Sequence, residues 1–123
     1  MKRASAILES ARLDREIDFE EICKIPHPSK KEEKLAAYII NWAKGKNFGV
    51  KTDKLGNICV SKPATPGMED RKPIIIQGHI DMVCEKNADV EFDFDKDSIQ
   101  CYIDGDWVKA KGTTLGADNG IGV

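Results

Sequence analysis

The chain lacks the features that would place it in a membrane, on a nucleic acid or outside the cell. Charged residues break every apolar stretch well short of the roughly 20 residues that span a bilayer as a helix. Lys2 and Arg3 precede only the short apolar cluster Ala6 to Leu8 before Glu9 and Asp14 intervene, so no export signal is formed and a cytoplasmic location is expected. Nineteen Lys and Arg face 21 Asp and Glu, a formal net charge of −2. That leaves no basic field to hold phosphate backbone or an anionic surface, so neither nucleic acid nor membrane is expected as a partner. The four cysteines, Cys23, Cys59, Cys84 and Cys101, include no C-x-x-C pair. A zinc knuckle and a disulfide framework are both disfavoured, and buried free thiols are expected. There is no internal repeat or low-complexity segment, and 123 residues allow one core: a single domain, or part of one.

What is present alternates between helical and strand patterns. Residues 1 to 25 space Ile7, Leu8, Ala11, Ile17, Phe19, Ile22 and Cys23 among charges, which predicts one or two amphipathic helices. Pro26-His27-Pro28-Ser29 stops that pattern, and Ser29 with Glu32 reads as a capping box for the next helix. His27 is expected to be a loop histidine, exposed or bonded to nearby backbone. Leu35, Ile39 and Trp42 give the second helix its apolar stripe, with Gly45 as its expected stop. Val50 to Asp53 and Ile58 to Val60 form a predicted hairpin, followed by the polar loop Lys62 to Lys72. A second hairpin is predicted from Ile99 to Ile103 and Asp106 to Lys111 around Asp104-Gly105. Between the hairpins, Asp93, Asp95 and Asp97 mimic the start of a calcium loop. Ser98 stands where that loop needs glycine and Asp104 where it needs glutamate, so a solvated edge is the expectation.

Two stretches carry candidate chemistry. Ile74 to Ile76 reads as a strand buried on both faces, and it runs into Gly78, His79 and Asp81. In open α/β sheets functional groups collect at the carboxyl ends of strands. In extended chain, residues two apart share a side, so Asp81 can accept the proton of one imidazole nitrogen while the other nitrogen binds a metal. Alone, His-x-Asp equally suits a hydrogen-bonded histidine closing a strand. The second stretch, Gly112 to Val123, sets four glycines around the single acidic residue Asp118. It is no dinucleotide fingerprint, and the plain alternative is a glycine turn with Asp118 capping a helix.

Taken in order, Gln77-Gly-His-Ile-Asp81, a hairpin, then Thr113-Thr-Leu-Gly-Ala-Asp-Asn-Gly-Ile-Gly122 closely resembles the N-terminal part of the dinuclear-zinc peptidases of the M20 class, and among them the aminoacyl-histidine dipeptidases. Ile25 to Glu33 and Asp53 to Ile58 add matching segments. The resemblance implies an α/β fold, part of a mixed, mostly parallel sheet flanked by helices, with residues 1–123 forming an incomplete portion of the catalytic domain. It implies that His79 binds one of two zinc ions (cobalt or manganese being alternatives), that Asp118 bridges both, and that the catalytic Asp81 orients and polarises His79. A cis peptide at Asp118-Asn119 is a further implication. The implied activity is hydrolysis of dipeptides, Xaa-His or broader, by a metal-activated water in a homodimeric full-length enzyme. The general base, the remaining ligands and a lid domain are expected beyond Val123, so the chain alone is expected to be inactive. A non-catalytic α/β binding module, a tripeptidase and an N-acyl amino acid deacylase are the competing readings.

Overall fold

The computed structural model describes residues 19–123. The helical expectation for Ile7, Leu8, Ala11 and Ile17 therefore lies outside the described residues. Its last part is α1, Phe19–Lys24, which buries two successive side chains, Ile22 and Cys23. Neighbours on a helix point about 100° apart, and here they enter different clusters. Ile22 joins Leu35 and Ile39, with Ile58, Ile80 and Val123 packed against them. Cys23 joins Met82 and Ile99, flanked by Phe92, Phe94, Cys101 and Leu115. α1 is thus the seam between two small cores.

Helix α2, Glu33–Gly45, buries Leu35, Ile39 and Ala43, one residue per turn along one face. Trp42 lies edge-on to Phe48, ring centroids 5.8 Å apart, so its aromatic bulk serves packing. Gly45 is the last helical residue, and the stop comes two positions later. Asn47 takes φ +59°, its N–H donates to Lys44 O (3.0 Å), and that of Phe48 donates to Ala43 O (2.9 Å). These two bonds make a Schellman ending, with asparagine in the left-handed position that glycine more often fills.

Strands β1 (Gly49–Thr52) and β2 (Ile58–Ser61) pair antiparallel with Val50 opposite Val60. Strands β3 (Cys101–Asp104) and β4 (Trp107–Ala110) pair with Asp104 opposite Trp107. The second turn is therefore Gly105-Asp106, one residue later than predicted. Gly105 has φ +60° while Asp106 has none of the positive φ that a type I′ turn requires, which fits type II′. Helix α3, Ala117–Gly120, is a single kinked turn whose buried Gly120 packs against Phe19 and Ile22.

The mixture of helices and strands agrees with the α/β reading, but a mostly parallel sheet is not formed among the described residues. Both sheets are two-stranded and antiparallel, and the one parallel pairing described is the isolated bridge Pro28–Met82. Ile74, Ile75 and Ile76, expected to be buried, are 86%, 93% and 87% exposed and belong to no strand. A doubly buried strand needs neighbours on both edges and cover on both faces, and neither hairpin borders this segment. The thiols also depart from expectation: none of the four is in a disulfide, yet only Cys23 is buried, and Cys59 is exposed on β2. Among the described residues no helix is long and apolar enough to cross a membrane.

Candidate metal centre

His27 begins the construction of the site, and of its two expected states, exposed or bonded to nearby backbone, it takes the second. It is 3% exposed, its Nδ1 lies 2.5 Å from Ile25 O, and its own carbonyl accepts the Met82 N–H at 3.1 Å. That bond and the Pro28–Met82 bridge lay residues 27–29 alongside residues 81–82. Met82, 3% exposed, inserts into the second core and holds the segment from below. The capping box does not form: the N-cap of α2 is Glu32 with no side-chain cap bond, and the Ser29 hydroxyl instead donates to Asp81 Oδ2.

The other wall is the glycine loop. Asn87 N–H donates to Gly112 O (2.8 Å), Thr114 N–H to Glu85 O (2.9 Å), and the Thr114 hydroxyl to Val83 O (2.6 Å). These bonds tie residues 112–114 to the chain just past Asp81. Gly116, at φ +76°, leaves room for Met82, whose Sδ would stand 3.1 Å from a Cβ there. Asn119 fits between Gly78 and Gly122, each of whose absent Cβ would lie 2.2 Å from an atom of its side chain. Gly78 thus permits the Asp118 loop to close on the segment that carries His79.

The three residues singled out from the sequence meet here. His79 Nδ1 lies 3.0 Å from Asp81 Oδ1 and 3.1 Å from Asp81 O, while Nε2 lies 2.9 Å from Asp118 Oδ1 across 39 residues of chain. Asp118 is no helix cap, since α3 carries no side-chain cap bond; its carboxylate is 96% exposed and its peptide bond to Asn119 is cis. The Asp118 hydrogen bond, with those from Asp81, holds the His79 pKa above its ordinary 6.5. The Ser29 hydroxyl, followed by His79, holds the Asp81 carboxyl below its ordinary 3.8.

This donor set fits a transition metal. With a carboxylate at each nitrogen, the ring satisfies both only as imidazolium, and a cation replacing the Nε2 proton would satisfy the same two partners. Two ligand atoms sharing one tetrahedral zinc stand about 3.3 Å apart, so the 2.9 Å pair needs only a slight opening. Among the described residues no group of three or more His, Cys, Asp or Glu converges on one ion. The remaining candidates have internal partners: Asp93 pairs with Lys96 at 2.9 Å and Asp95 with Lys31 at 2.5 Å. Sequence reasoning missed Ser29 as a partner of Asp81, and it missed Thr114. The S-x-x-E spacing pointed Ser29 elsewhere, and nothing local to Thr114 announces bonds some 30 residues away.

No family model matches the chain. It is 64% identical over 105 residues to the cytosol non-specific dipeptidase of Escherichia coli (strain K12), a match covering 85% of this chain and 22% of that protein. Its fold is similar to the crystal structure of the aminoacylhistidine dipeptidase from Vibrio alginolyticus, with a TM-score of 0.82 and 62% identity over 85% of this chain and 21% of the other. The chain therefore spans about a fifth of the length of these two dipeptidases, and the resemblance drawn from its motifs holds in sequence and in fold.

Proposed function

We propose that this chain is the metal-anchoring N-terminal portion of a zinc-dependent dipeptidase acting in the cytoplasm. The observation that carries the reading is the placement of His79 Nε2 and the Asp118 carboxylate 2.9 Å apart, with Asp81 on the ring's other nitrogen. His79 and Asp118 would hold the cation. Asp81 keeps the proton on Nδ1, so Nε2 is the nitrogen that would give up its proton to the metal. Zinc, when bound, supplies Lewis acidity that polarises a scissile carbonyl and acidifies water. Asp118 is exposed, and its carboxylate would suit a bridging role if a second cation were held beside the first.

Dipeptides, Xaa-His or broader, are the proposed substrates, and a homodimer is the proposed assembly of the longer protein. Two donors hold zinc weakly, and none of His79, Asp81 and Asp118 is free to act as general base. The 123-residue chain alone therefore hydrolyses no dipeptide. The test is a chimaera in which the matching segment of this chain replaces that of the Escherichia coli relative, assayed with zinc on a dipeptide panel. The expected result is turnover by the chimaera and its loss in the His79→Ala and Asp118→Ala forms. Full turnover with His79→Ala, or zinc-dependent turnover by the 123-residue chain, would overturn the reading.

A further inference from the structure

We propose that Ser29 is a positioning residue for the metal site, acting through Asp81 on His79; the metal half of this inference rests on the function proposed above. Asp81 has two carboxylate oxygens with different tasks. Oδ1 faces His79 Nδ1 at 3.0 Å, and Oδ2 accepts the Ser29 hydroxyl across 52 residues of chain. A carboxylate held at one oxygen rotates about its last torsion, which is broad and roughly two-fold. Held at both, it keeps one acceptor aimed at Nδ1. The imidazole plane, and with it the direction of Nε2, is then fixed from behind.

The turn that presents Ser29 is itself built for that placement. Lys31 N–H donates to Pro28 O at 2.9 Å, closing a turn with Ser29 in its first central position. Lys30 follows at φ +69°, a left-handed conformation that non-glycine residues seldom adopt. Glu32 Oε1 accepts the Lys30 N–H at 2.6 Å, and the Pro28–Met82 bridge anchors the turn beside Asp81. An unfavourable backbone angle persists only where surrounding contacts over-determine it, and here those contacts hold one hydroxyl against one carboxylate oxygen. Ser29 is exposed, so it fills no core.

The experiment compares the 15N-labelled 123-residue chain with its Ser29→Ala, Ser29→Thr and His79→Ala forms. The first arm is metal-free, at acid pH with the ring protonated, and reads exchange of the His79 Nδ1–H with solvent. Ser29→Ala is expected to speed that exchange about tenfold, as befits loosening one charge-assisted hydrogen bond, with Ser29→Thr close to the parent. The second arm measures zinc affinity by competition with a chromophoric chelator. Partners one step behind a ligand typically change affinity 10–100-fold, so Ser29, a step further out, is expected to weaken zinc binding about 3–10-fold with an unchanged melting temperature. Parental Nδ1–H exchange in Ser29→Ala overturns the proposal, as does parental zinc affinity in Ser29→Ala when His79→Ala has lost zinc. If His79→Ala binds zinc like the parent, the function proposed above falls and with it the metal half of this proposal. The first arm then still decides the hydrogen-bond relay.

Discussion

Two halves of one short stretch, Ile74–Ile76 and His79–Met82, end in opposite environments. The apolar half is almost wholly exposed, while the half rich in polar groups is fastened by His27, Ser29 and Asp118 and seated on a buried methionine. Hydrophobicity alone ranks them the other way. Burial of a strand is a property of its neighbours, and none borders Ile74–Ile76 among the described residues. The polar half instead finds its partners in a proline turn and a glycine loop that the same chain supplies.

The sharpest way to break this comparison is to truncate each half. Met82→Ala should cost about 2–5 kcal/mol in denaturant unfolding, as expected for a buried methionine. Ile75→Ser, at an exposed position, should change stability by less than about 0.5 kcal/mol. Equal losses would mean that the isoleucine run is buried in solution. Next in size is Gly78→Ala, whose new methyl group would displace the Asn119 side chain and cost about 1–3 kcal/mol as an overpacking change. It should also part Asp118 from His79, visible as loss of nuclear Overhauser contacts between the two loops.

A smaller effect is pH-dependent. The His79 pKa is raised chiefly by Asp118, so in metal-free chain the ring should titrate above 6.5, and Asp118→Asn should lower that value in an NMR titration. Because the folded pKa lies above the unfolded one, the pairing stabilises fully below about pH 6.5 and its contribution is lost as pH rises through the folded value. The smallest effect is expected at Asp53, whose hydrogen bonds lie within its own hairpin turn. Its carboxylate accepts from Leu55 N–H (2.8 Å), Asn57 N–H (3.0 Å) and Asn57 Nδ2 (2.7 Å), and the Asn57 bonds hold its pKa below 3.8. Asp53→Ala should quicken amide exchange in β1 and β2 and leave the His79 resonances unmoved.

Legibility in the sequence followed the range of the interaction that decides each feature. Both hairpins and α2 were readable because turn residues and apolar spacing act within a few positions, although Asn47 took the stop expected of Gly45 and the second turn moved to Gly105-Asp106. His79 with Asp81 was readable as a spacing of two. Asp118 beside them was readable only through resemblance to the dipeptidases, since no local rule brings residue 118 to residue 79. Ser29 was misread because a capping box and a long-range bond compete for one hydroxyl, and the tertiary partner won. The His27 bond to nearby backbone was readable because Ile25 is two residues away, whereas its burial was not, being set by Met82 and the turn it shares with residues 81–82.

The central claim is that His79 and Asp118 share a cation, and the most direct measurement is the 15N shift of the His79 ring nitrogens as zinc is added to the labelled chain. Nε2 is predicted to move to the position of a metal-bound imidazole nitrogen while Nδ1 keeps its proton, with Asp118→Asn demanding far more zinc for the same change. A ring whose Nε2 ignores zinc, or one that responds equally well without the Asp118 carboxylate, would contradict it.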